Sequence, residues 1–208
     1  MLENIDAQLS QSSSKVFSNP LDLYKLGIEY EMRDSRISAA RRLLGDNYNL
    51  LDPTSFARLS AALPSTKYMG ALVAVQGARY KILTEVLLSG NIQRHGLSLR
   101  VISCDACRMA MDIARENQVS FSLPSWMVEW TASTHKALVL SPLKQCLPFF
   151  DASIFDASSE YCNFICWSCL ECLRTSTEHK ENFNLWARFV KNLLMKRLKS
   201  LEPLYNLC

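Results

Sequence analysis

No stretch of this 208-residue chain reads G-x-G-x-x-G or G-x-S-x-G, and there is no phosphate-binding loop. The backbone cradles that hold nucleotide phosphates and the elbow that presents a hydrolase serine are therefore missing as local signatures. Histidine is scarce: His95, His135 and His179 are the three, and none falls in a zincin, kinase or hydrolase motif. A Cys–His catalytic pair is recognised in space rather than in sequence, so a pairing chosen from eight cysteines and three histidines carries no information. The expectation is a protein that is not an enzyme.

Long hydrophobic runs are also absent. The most apolar candidate, Tyr68–Leu88, is interrupted by Gln76, Arg79, Lys81 and Glu85, and bilayer spanning takes about 18 consecutive apolar residues. The N-terminal stretch has no apolar core of signal-peptide length, with acids already at Glu3 and Asp6. These features predict a cytoplasmic or nuclear protein without a transmembrane segment, in which thiols are reduced. Strict alternation and solenoid-length repeats are likewise missing, which argues against a sheet or a repeat array.

What is present is helical. Hydrophobic residues make up 49% of the chain and charged ones 21%, a globular balance. Residues 1–18 are polar and serine-rich and are expected to form a flexible arm or a weakly held helix. Order is expected over 19–208 as a single all-α domain of about eight helices. Asn19 followed by Pro20 and Asp52 followed by Pro53 each combine an N-cap with proline at the first helical position. A helix is expected from Ser35 to Leu44, another across residues 97–117, and two more near 157–174 and 181–201. The segment Thr66–Ser89 reads as the central helix: its apolar side chains fall all round the axis, and Gly70, Ala74 and Gly77 form a small-residue stripe suited to close packing.

Four of the eight cysteines lie in Tyr161–Arg174. At 100° per residue, Cys162, Cys166, Cys169 and Cys172 share an arc of about 120° with Ile165 and Leu173. Free cysteine packs as a small hydrophobe, and that accounts for the spacing. A competing reading joins the C-x-x-C pairs Cys104/Cys107 and Cys169/Cys172 into a four-thiolate zinc site, with His179 as an alternative ligand. Zinc is the one cofactor the sequence suggests. Redox use of C-x-x-C is disfavoured by the lack of a βαβ pattern.

The net charge of +3 leaves anionic partners open without requiring them. Arg36, Arg41 and Arg42 point in three directions around their helix, as on a solvated surface. The last long helix is more suggestive. Phe183, Trp186, Val190, Leu193 and Leu194 gather on one arc, while Arg188, Lys191, Lys196 and Lys199 supply positive charge. Arg197 falls near the centre of the apolar arc, where an unpaired charge is expensive to bury, and so marks an exposed end or an interface. Such a helix suits a nucleic acid, an anionic membrane or a protein groove. The reading that follows is a helical protein–protein interaction or oligomerisation module, with a homo-oligomer expected. The alternative is an RNA- or DNA-binding accessory protein using Arg36, Arg41, Arg42, Trp186, Arg188, Lys191, Lys196, Arg197 and Lys199, with or without stabilising zinc.

Overall fold

Asparagine or aspartate before proline opens two of the helices in the computed structural model. The structure describes residues 2–16, 19–44, 50, 52–88, 109, 112–113, 116, 125–141, 143–157 and 167–208. Asn19 Oδ1 accepts from the Leu21 amide at 3.1 Å at the head of α2 (Pro20–Glu29), and Asp52 Oδ2 accepts from the Ser55 amide at 2.7 Å at the head of α4 (Pro53–Ala62). Ser65 Oγ accepts from the Lys67 amide at 3.2 Å where α5 (Thr66–Leu87) begins. Each side-chain oxygen satisfies an amide that has no partner inside its helix. The described residues form helices and no strand, so the class is all-α. The chain divides into two compact units, Met1–Ile82 with Arg197–Cys208, and Leu83–Lys196.

In the first unit, α3 (Arg33–Arg42) packs against both α2 and α1 (Leu2–Val16). Of the two forms expected for the polar start, a flexible arm or a weakly held helix, the structure shows a helix, and it is docked on α3. Its anchor is Asp6, which is buried and accepts from the amides of Asp34 at 2.9 Å and Ser35 at 2.7 Å. Met32, the residue preceding α3, provides no side-chain cap, so Asp6 caps that helix from a distance of 28 residues or more in sequence. Burial pushes the Asp6 carboxyl up, but the Ser35 hydroxyl, the two amides and the charge of Arg36 together hold it below its usual value. Gly27 lets α2 approach α3 closely, because a Cβ there would meet Arg36 Cβ at 2.9 Å. The reversal between them places Glu31 in the left-handed region at φ 55°. At the other end of α3, Arg79 donates to the Leu44 carbonyl at 3.1 Å.

The core of this unit joins Leu21, Leu23 and Tyr24 to Ala39, Ala40, Leu43, Leu59, Met69, Leu72 and Val75. The short α10 (Glu202–Tyr205) and the residues after it close over that core. Cys208 is fully buried there, and its carbonyl oxygen accepts from Tyr24 Oη at 3.2 Å. Burial pushes the Cys208 thiol up to about 11, against the opposing charge of Arg36.

The expected all-round burial of Thr66–Ser89 is corrected by the observed helix. Met69, Leu72, Val75, Gln76, Arg79, Leu83 and Val86 are buried at helical spacing, while Gly70, Val73, Ala74, Gly77 and Tyr80 are exposed. Among the described residues, a Cβ added at Gly70 or Gly77 would meet nothing within 4 Å.

The second unit is built on α6 (Ser125–Leu140), a 3-10 turn (Leu147–Phe150), α7 (Ile154–Ala157), α8 (Trp167–Thr175) and the larger part of α9 (Thr177–Lys199). Its centre is Trp130, fully buried, with ring centroids of Trp186 at 4.8 Å, Phe150 at 5.9 Å and Phe183 at 6.0 Å. The indole Nε1 donates to the Phe149 carbonyl at 2.7 Å, so burying this large ring strands no donor. On the same helix, His135 is buried with Nε2 3.1 Å from Thr84 Oγ1, and burial lowers its pKa. The helix expected over 97–117 lies outside the described residues, apart from Met109, Asp112, Ile113 and Glu116.

Two stability measurements follow. Asp6→Ala removes the distant cap and is expected to cost about 1–2 kcal/mol in urea unfolding. The carboxyl is held below its unfolded-state pKa of about 3.9, so its contribution is present above that pH. It disappears as pH falls through the folded value, where mutant and parent converge. His135 has a folded pKa below its unfolded value of about 6.5, so its contribution is full above that pH and shrinks as pH drops toward the folded value. His135→Gln should flatten the melting temperature between about pH 7 and pH 5; an unchanged slope would contradict the assignment.

Candidate interaction surface

Helix α9 follows α8 after a one-residue break at Ser176, whose Oγ accepts from the His179 amide at 3.3 Å. The two expected C-terminal helices are thus present, with the first beginning its described part at Trp167 and the second at Thr177. One arc of α9, made of Phe183, Trp186, Ala187, Val190 and Leu194, is buried. Phe183 meets Phe155 at 5.0 Å and Trp186 at 5.9 Å between ring centroids. Asn184 Oδ1 accepts from the Ala152 amide at 2.7 Å, and Lys180 pairs with Asp156 at 3.2 Å. These contacts fix the rotation of the helix about its own axis.

That rotation turns a second set of large apolar side chains outward. Leu185 is 51% exposed, Met195 51% and Phe189 39%. Around them Glu181, Arg188, Asn192 and Lys196 are exposed, and Lys191 is half-buried. Leu185 and Phe189 were not singled out from the sequence. The signal was there, since at 100° per residue they sit about 60–100° from Trp186 and outside the Trp186–Val190–Leu194 arc.

The sequence-derived candidates separate into three groups. Trp186 is 1% exposed and belongs to the core, so its ring is not available to a partner in this state. Two of the α3 arginines, Arg36 and Arg41, are engaged within the first unit. The guanidinium of Arg36 lies 5.6 Å from the Tyr68 ring centroid, and Arg41 pairs with Glu202 and sits 5.5 Å from the Tyr205 ring centroid. Arg42 also has a partner. On α9, Arg188, Lys196, Arg197 and Lys199 are exposed and Lys191 is half-buried. Arg197 accordingly lies at an exposed position rather than in a buried arc.

For the zinc reading, Cys104 and Cys107 lie outside the described residues, as do the side chains of Cys169 and Cys172. Among the described residues, no group of three or more His, Cys, Asp or Glu gathers as a metal site. A groove of about 520 Å³ in the first unit is lined by Lys25, Glu29, Ala61, Ala62, Leu63 and Pro64, with no serine, threonine, cysteine or histidine among them. No helix among the described residues is long and apolar enough to cross a membrane. No protein-family model, curated protein or solved structure matches the chain.

The two faces of α9 should respond differently to truncation. Trp186→Ala removes a core ring and is expected to cost about 3–5 kcal/mol. Leu185→Ala and Met195→Ala should change chemical unfolding by less than about 0.5 kcal/mol. Equal losses at both faces would contradict the observed rotation.

Proposed function

We propose that this chain is a non-enzymatic protein–protein interaction and oligomerisation module that works through a helical surface, the outward face of α9. The carrying observation is the exposure of Leu185, Phe189 and Met195 on a helix whose opposite face is held rigidly in an aromatic core. Exposed large apolar side chains grouped on one element are a recurrent mark of a binding surface. A rigid support means that little ordering entropy is lost when the surface is covered.

The alternative, binding of RNA or DNA, draws on Arg188, Lys196, Arg197 and Lys199. It is weakened by Glu181 on the same outward face and by the engagement of Arg36 and Arg41 on Tyr68 and Glu202. Phosphate-dependent affinity falls steeply with salt, whereas an apolar protein interface changes little. Labelled single- and double-stranded RNA and DNA are expected to show no shift with the purified protein even at low salt. A photoreactive residue placed at position 185 is expected to give protein adducts. A salt-steep shift together with nucleic-acid adducts would replace this reading with the alternative.

A further inference from the structure

The outward face of α9 has an order along the helix as well as a composition. Taking Leu185 as the zero of the wheel, Glu181, Arg188, Phe189, Asn192 and Lys196 all fall within an arc of about 100°. Every one of the six is exposed. Read from the N-terminal end, the stripe runs acid, leucine, arginine, phenylalanine, asparagine, base. The acid and the base stand fifteen residues apart, about 22 Å along the axis. Glu181, Arg188 and Lys196 form no ion pair among the described residues.

This order complements itself when reversed. A two-fold axis crossing the helix between Arg188 and Phe189 maps Glu181 onto Lys196, Leu185 onto Asn192, and Arg188 onto Phe189. From this charge complementarity we infer that the occupant of the face is a second copy of the same chain, its α9 lying antiparallel across the first. The inference rests on the reading of α9 as an interaction surface and names its partner.

In that arrangement Glu181 of each copy meets Lys196 of the other, giving two ion pairs from one pair of residues by symmetry. The Arg188 guanidinium of each copy lies against the Phe189 ring of the other, a cation–π contact. Leu185 and Phe189 meet diagonally near the centre and exclude water from it. A parallel pairing has none of this, because it sets Glu181 against Glu181 and Lys196 against Lys196. One face of a single helix falls short of the roughly 800 Å² per partner of a standard interface, so the dimer belongs to the weak, reversible class.

The test is sedimentation of the full chain across micromolar to roughly millimolar concentration. The wild type is expected to pass from monomer to dimer in that range. Glu181→Lys and Lys196→Glu each turn two attractions into two repulsions and should weaken self-association by roughly tenfold. An equimolar mixture of the two single variants regains wild-type association, as does the double variant E181K/K196E. Both exchanged positions carry exposed side chains, and unchanged circular-dichroism melts confirm that folding is not what moved. A wild type that stays monomeric throughout overturns the pairing. So does a dimer indifferent to the single reversals, or a mixture no better than its components. These failures are distinct from failure of the interaction reading, which is decided by adducts at position 185 and by the nucleic-acid titration.

Discussion

The rotation of α9 about its own axis is set by Phe183 and Trp186 closing on Trp130, and the character of the exposed surface follows from it. Trp130 gathers rings from the 3-10 turn and from α9 at centroid distances between 4.8 and 6.0 Å, and its indole N–H is satisfied by the Phe149 carbonyl. Aromatic packing of this kind is directional. A helix held by two such rings one turn apart cannot roll without opening the core. Asn184 and Lys180 add polar locks to the same orientation. Leu185 and Phe189 therefore face outward as a consequence of what Phe183 and Trp186 must bury.

In the first unit the comparable constraint is the supply of hydrogen-bond partners to the ends of α3. Local sequence provides none at its start, where Met32 stands in the capping position. Asp6 supplies the missing acceptor from α1, and Arg79 on α5 supplies a donor to the Leu44 carbonyl at the other end. Helix termini buried without such partners are costly, so these two charged side chains are retained in the interior. They also tie three helices together, which apolar contacts alone would leave less specified.

Helix starts were readable where the signal is short-range. Asn19-Pro20 and Asp52-Pro53 act through oxygens that reach amides two or three residues on, and each is found doing so. For the polar serine-rich start a helix is one of two local expectations, and its docking on α3 is not legible because composition does not reveal a partner. Asp6 reads as one more acid until α3 is beside it. The arginines at 36, 41 and 42 read as a solvated set. Two of them are partly absorbed by Tyr68, Tyr205 and Glu202, residues far away in the chain.

The α9 surface lies between these cases. The order of charges along it is a property of the sequence, and so is the amphipathic period that makes the segment a helix. Which of its apolar residues face solvent is decided by which arc the aromatic core claims. The same distinction governs α5, whose apolar side chains fall all round the axis, while Val73 and Tyr80 lie exposed. The helical class and the starts at Asn19 and Asp52 are written locally, because caps and periodicity act over a few residues. Which faces are covered is a tertiary outcome, because burial depends on neighbours brought from distant parts of the chain.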